Sequence, residues 1–376
     1  MNQSIVALIR PNLNLAQKEN HAAHLIEHLL IDPKRLLKMG ISDDFYAKNI
    51  INHSGETNSF YMTEYYVVKS EVANTVAKIL SEHQSELYLN QNDFKKIKSA
   101  IIEELNENQG EFIGIDEQLA KAIYIPGSPT IRNPWNNLKS IINISPNKIE
   151  EIFHKYNTDL CLLKLSFDNF ELDKLPVIEK DKLCKPNGLI KLTHPWQSPN
   201  SVDIYHAVPL PTKTDFLLDM LYRRSLTDIK FGLVFNELHH KQGIVYEISI
   251  YADYDDNTSE IIFSSCENNS DKITEIIKQT LKNYDQFIVK NIDYIKNRLK
   301  IDLKLDWGDI QNVTLWNINR VISGGYIEST ASFIKRLDKV SVQDLIKFNS
   351  LFLDSLNNQA VSVKRRHGKN VTTQKE

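Results

Sequence analysis

The sequence predicts an α+β fold built as two similar halves, each a mostly antiparallel sheet covered by helices. Three observations carry this expectation. The chain has 376 residues, long for one core when domains run to ~100–200 residues. Strand-like and helix-like periodicities alternate along it, and their coarse order repeats after a proline-punctuated middle. No residue-level repeat accompanies that order, so duplication is read from the elements alone.

Taken in order, "SIVALIR" is rich in β-branched residues and predicts a strand, 20–31 predicts a helix, and "TNSFYMTEYYVV" alternates like a strand. Helical patterns follow at 70–86, 91–109, 116–125 and near 146–156, then the strand "DLCLLKLSF". Between 176 and 200, Pro176, Pro186, Pro195, Pro199 and the Asn187–Gly188 pair interrupt any period, which predicts a linker. The expected boundaries are therefore 1–175, a 176–200 linker, and 201–376. In the second half, "VDIYHAV", "IVYEISIYADY" and "EIIFSSC" read as strands. Helices are expected at 213–227, 271–286, 288–303, 310–322 and 341–356, and "QAVSVKR" as a last strand. The tail "RRHGKNVTTQKE" reads as a frayed polar terminus.

Composition narrows the function classes. With 45 basic and 48 acidic residues the formal charge is -3, which gives no electrostatic case for a nucleic-acid or membrane-surface partner. Cys161, Cys184 and Cys266 are odd in number and outside any CxxC spacing, so neither a disulfide framework nor a cysteine zinc site is expected. No run approaches the ~18 apolar residues of a membrane span, and the N-terminus does not read as a secretory signal. A soluble protein of the reducing cytoplasm is the expectation.

The segment "HAAHLIEHLL" concentrates three of the chain's 11 histidines. On a helix His21, His24, Glu27 and His28 share one face, while Ala22, Leu25, Ile26, Leu29 and Leu30 share the other. Such a face is usually just solvated. Lys and Glu normally provide that solubility, however, whereas histidine is the commonest metal ligand. Histidines at i and i+4 can converge on one zinc ion, and a glutamate between them can reach a water bound there. The order His24-Leu25-Ile26-Glu27-His28 is H-x-x-E-H, the inverted zincin motif.

A zinc site of this kind needs a third protein ligand and an open fourth position. In "NDFKKIKSAIIEELNENQG", Phe94, Ile97, Ile101 and Leu105 form the apolar stripe. Glu103 points away from that stripe, while Glu104 lies on its edge and faces inward. An inward carboxylate without a partner costs several kcal/mol, so Glu104 wants a cation. The alternatives are a lysine partner or a slightly rotated, wet helix.

HxxEH followed far along the chain by a helical glutamate within "IIEELNE" resembles the pitrilysin, insulin-degrading enzyme and mitochondrial processing peptidase family of zinc metallopeptidases. The resemblance implies that His24, His28 and Glu104 bind Zn2+ and that Glu27 is the general base. "SGETNSFYMTEYYVV" is similar to the family's strand beginning Asn-Ala-x-Thr, with Asn58 and Ser59 in the first two positions. That strand would be a sheet edge along which a peptide substrate lies extended. "FGLVFNELHHKQGIVYEIS" resembles the motif in which Arg and, seven residues later, Tyr complete the site from an opposite domain. Here His239 stands at the Arg position and Tyr246 at the Tyr.

Two further departures from the family pattern are Ile97, where many members have a glutamate, and His21, where a small residue is usual. His21 is read as structural or exposed, with an accessory polar role left open. The resemblance implies that one chain supplies half of a closed chamber and acts as a dimer. The loss of Arg at His239 favours a homologous second subunit over a homodimer. The implied activity is endopeptidase cleavage of short or unstructured peptides, such as ribosomal peptide precursors. A non-catalytic peptide-binding or stabilising subunit is the alternative, and a helical scaffold with a fortuitous histidine face is a third reading.

Overall fold

A computed structural model describes residues 3–13, 22–57, 61–110, 141–175, 190–196, 201–209, 215–245, 248–253, 258–266, 270–306, 318 and 328–367. The chain divides into two compact units. The first takes in residues up to 113, 129–180 and, from much later in the chain, Lys304–Phe333; the second takes most of the remainder.

In the first unit β1 (Gln3–Arg10) leads to α1 (Ala22–Leu30), α2 (Pro33–Lys38) and α3 (Asp43–Asn49). Next come β2 (Ile50–Thr57), β3 (Met62–Lys69), α4 (Ala73–Glu82), α5 (Gln91–Gly110), α6 (Pro146–Tyr156), β4 (Cys161–Ser166) and β5 (Phe170–Leu172). The strands form one sheet in the order β2-β3-β1-β4-β5, every pair antiparallel. Strand alternation sorts the apolar residues between the two faces. Ile5, Ala7 and Ile9 of β1 join Tyr65 and Val67 of β3 in one cluster. Val6, Tyr66 and Val68 join Leu36 of α2 and Val76 and Leu80 of α4 in another. A third cluster packs Leu25, Ile26 and Leu29 of α1 against Phe94 and Ile101 of α5 and Ile149 and Phe153 of α6.

Local chemistry sets the helix ends. Asp32 caps α2 by accepting from Lys34 N, with Pro33 in the first turn, where its missing N–H costs nothing. That helix stops at Gly40, whose φ of +84° suits glycine; Ile41 N donates to Leu36 O and Gly40 N to Leu37 O. Ser42 caps α3 in the same way.

The second unit contains β6 (Ile190–Trp196), β7 (Ser201–Pro209), α7 (Phe216–Thr227), β8 (Ile248–Asp253), β9 (Thr258–Cys266), α8 (Ser270–Leu281), α9 (Tyr284–Asp306) up to Leu303, the last part of α10 (Thr330–Leu337), which belongs to the first unit as far as Phe333, α11 (Val342–Asn358) and β10 (Val361–His367). Its sheet runs β8-β9-β7-β10-β6. Strand for strand this repeats the first sheet, with a hairpin strand at one edge of the described sheet. The exception is the outer strand: β6 pairs parallel to β10, whereas β5 pairs antiparallel to β4.

The structure corrects three expectations. The strand read from "TNSFYMTEYYVV" is β3, which is flanked on both sides; among the described strands the edge next to it is β2, whose half-buried residues show no clear alternation. β6 falls inside the 176–200 stretch read as linker, because strand residues beside prolines at a sheet edge lose no ladder bonds. Residues 201–376 do not form one body, since Ile318 packs into the β1/β3 cluster and Ala331 N donates to Phe167 O at 3.0 Å. The helices expected at 116–125 and, except for Ile318, at 310–322 lie outside the described residues. No described helix is long and apolar enough to cross a membrane.

Candidate metal centre

α1 buries Ala22, Ala23, Leu25, Ile26, Leu29 and Leu30 and turns His24, Glu27 and His28 outward, as its period requires. α5 lies beside it through the shared apolar cluster, with Ile97 partly buried against that cluster and Glu103 exposed. Glu104 lies at the edge of the α5 stripe, and its carboxylate meets both histidines. Oε1 is 3.6 Å from His24 Nε2 and Oε2 is 3.5 Å from His28 Nε2. The two Nε2 atoms are 3.1 Å apart, with the rings edge to face at 71°. Among the described residues this is the one cluster of histidine, cysteine and carboxylate groups with metal-ligand spacing.

The donor set fits zinc. Bonds of about 2.0–2.2 Å in a tetrahedron put ligand atoms about 3.3–3.6 Å apart; here one atom from each of His24, His28 and Glu104 lies within 4.8 Å of the others, and each histidine has its own Glu104 oxygen at 3.5–3.6 Å. The side chains of His24, His28 and Glu104 are 25%, 28% and 44% exposed, so the site is open on one side, as a fourth position requires. Burial holds the His28 imidazole below its ordinary pKa although Glu104 pulls it up, which favours the neutral ring a metal needs.

Glu27 sits between this cluster and the sheet edge. A Cβ on Gly55 of β2 would stand 2.6 Å from Glu27 Cγ and 3.1 Å from its Oε1, so the carboxyl side chain occupies the room a glycine leaves. Burial raises the Glu27 pKa, the Thr57 side chain lowers it and Glu104 raises it further, leaving the group above the usual carboxylate range. A cation held by the neighbouring histidines would act in the opposite direction. Gly55 and Thr57 were not legible as site residues. Their role depends on β2 being the edge strand that passes Glu27, which no local pattern announces.

The remaining candidates are distributed differently. His239 lies in a π-helical segment, Asn236–Lys241, in the second unit. It is half-buried, with Nδ1 2.9 Å from Val245 O and its ring stacked on Phe235 at 4.8 Å. His21, Asn58, Ser59 and Tyr246 lie outside the described residues. Cys161 is buried in the first sheet, and burial pushes its thiol up to about 11, which disqualifies it as a nucleophile.

No family model matches the sequence, and no curated protein does. Solved structures match along essentially the whole chain. The peptidase M16 inactive domain from Pseudomonas fluorescens superposes with a TM-score of 0.70 at 12% identity, over 100% of this chain and 95% of that one. A protease from Helicobacter pylori gives 0.69 at 14% identity, over 97% and 94%. The chain has an M16 peptidase-like fold. The ferredoxin protease FusC, solved in complex with Arabidopsis ferredoxin, gives 0.63 at 11% identity, and here the match spans 97% of this chain but 42% of the protease. Identities this low establish the fold alone, and the M16 fold includes a domain described as inactive. Whether this chain does chemistry must therefore be argued from its side chains.

Proposed function

We propose that the chain is a zinc-dependent endopeptidase acting on short or unstructured peptides. The observation that carries this reading is the convergence of His24, His28 and Glu104, with Glu27 beside them against the edge strand β2. His24, His28 and Glu104 would hold a zinc ion, which supplies Lewis acidity toward a peptide carbonyl and lowers the pKa of water. Glu27 takes the proton of the attacking water and returns it to the leaving amine. A peptide added as a strand along β2, at the edge of the sheet, would be recognised through its backbone, largely independently of sequence. A substrate must be locally unfolded to lie there.

A match to less than half of the ferredoxin protease supports a working unit of two such chains. His239 in place of arginine favours a homologous second subunit, which would contribute the Arg and Tyr pair to this chain's site, over a homodimer using Tyr246. A cytoplasmic location fits the widely spaced cysteines. The likeness to an inactive M16 domain supports a second reading, a non-catalytic peptide-binding subunit.

One experiment separates these. The purified chain, alone and with a homologous partner, is expected to bind zinc and to cleave an unstructured peptide. 1,10-Phenanthroline should stop the cleavage and zinc should restore it. Glu104→Ala should lose zinc, since two imidazoles remain where three donors are needed. Activity undiminished after complete metal removal would refute the proposal, and zinc-free protein that still binds peptide would establish the second reading.

Gly55→Ala supplies an independent check. The added methyl displaces the Glu27 side chain without touching a ligand, so zinc content should hold while kcat falls. A displacement near 1 Å can cost ~10²-fold. Unchanged kcat in this variant would mean that Glu27 does not work from its position beside β2.

A further inference from the structure

The last carbonyls of a helix have no partner within it, and at the end of α1 they are taken by side chains from elsewhere. Leu30 O accepts from an Arg35 guanidinium nitrogen at 2.8 Å, and Ile31 O lies 3.0 Å from His53 Nε2. The Tyr46 hydroxyl is 2.7 Å from His53 Nδ1. A hydroxyl donating to Nδ1 leaves the ring proton on Nε2, where it is donated to Ile31 O. The ring is held besides by stacking on Tyr66, 5.8 Å between centroids at 19°, and by the edge of Tyr46 at 5.4 Å.

His53 lies on β2, two residues before Gly55. α1 and the residue that follows it therefore touch the same strand twice on one side of the pleat, through the Ile31 carbonyl on His53 and the Glu27 side chain on Gly55. A slide or tilt of β2 against α1 breaks at least one of these contacts. We propose that His53, oriented by Tyr46, is a positioning residue that locks the register between the metal-binding helix and the edge strand. It thereby fixes where Glu27 stands relative to a peptide paired with β2. This rests on the peptidase reading for its consequence in catalysis, but the lock itself does not.

The test uses the full chain with His53→Ala, His53→Gln and Tyr46→Phe. Zinc affinity is measured by competition with a chromophoric chelator, kcat and KM on an unstructured fluorogenic peptide, and amide exchange at Ile31 and along β2. His53→Ala should lower kcat by ~10-fold or more, as loss of an outer-shell support commonly does, and speed exchange at Ile31 and β2. His53→Gln, whose amide N–H can still donate to Ile31 O, should recover most of both. Tyr46→Phe should cost a few-fold and add little to His53→Ala, because the two act as one unit.

The proposal is overturned if His53→Ala leaves exchange at Ile31 and β2 as in the wild type. It is equally overturned if His53→Ala lowers the thermal midpoint while kcat stays unchanged in the folded protein. If the wild type neither binds zinc nor cleaves peptide, the peptidase reading fails, and the exchange measurement still decides whether the lock exists.

Discussion

Glu27→Gln is expected to remove turnover while leaving zinc binding and the fold intact. The amide has the shape of the carboxyl, so it fits the space above Gly55, but it cannot accept the proton of the attacking water. General-base catalysis contributes ~10²–10⁴-fold, and the variant should lose about that much in kcat/KM with little change in KM. Zinc content should match the wild type, because neither imidazole nor the Glu104 carboxylate is altered. Glu103→Gln is the control: that side chain is exposed on α5, one position from Glu104, and its loss should change the rate by less than about twofold. Steady-state kinetics beside metal analysis of all three proteins checks this. Equal effects of the two substitutions, or normal turnover in Glu27→Gln, would show that the proton is taken elsewhere.

That His24, Glu27, His28 and Glu104 could be singled out as candidates follows from helical geometry, while the roles assigned to them are what the resemblance implies. Residues three and four apart share a face whatever the rest of the chain does, and the apolar stripes of α1 and α5 state which face is turned to the core. The pairing of these helices through one apolar cluster then leaves little freedom in where Glu104 can stand. Gly55, Thr57 and His53 were hidden for the opposite reason. An edge strand that is half-buried along its length has no strong period-2 signal, and β2 enters its ladder through an irregularity between Ile50 and Asn52 that shifts the faces. The resemblance points to Asn58 and Ser59, later in the chain, which lie outside the described residues.

The unit boundaries failed on similar grounds. Proline punctuation reports local breaks in period, but Ile318 and Ala331 belong to the first unit through contacts with β1, β3 and Phe167, which are distant in sequence. Periodicity constrains elements and says little about returns of the chain.

Glu64→Gln is expected to be the most destabilising single substitution in the first unit. Glu64, on β3, is 1% exposed, and its two oxygens accept from Arg10 at 2.6 Å and Arg35 at 2.9 Å. Arg10 and Arg35 are themselves buried; Arg10 also reaches Gln84 O and the Asn157 side chain, and Arg35 reaches Leu30 O. Burial alone would raise the Glu64 pKa, but the Arg35 and Arg10 guanidiniums outweigh it and hold the carboxyl below its ordinary range. Glutamine would leave two buried guanidiniums without their counter-charge, and breaking a buried ion pair in this way costs ~3–5 kcal/mol. The sign with pH follows from the depressed pKa. The carboxylate's contribution is complete above the unfolded value of about 4.3 and is lost as pH falls through the lower folded value. Wild type and variant should therefore differ most at neutral pH and converge in acid, where a protonated Glu64 resembles the glutamine. Amide exchange within β1 and β3 at several pH values measures this without assuming that both units unfold together. A neutral-pH difference below about 1 kcal/mol would mean that the guanidiniums find other anions or water when Glu64 is lost, and that the triad is not the anchor holding the end of α1 to the sheet.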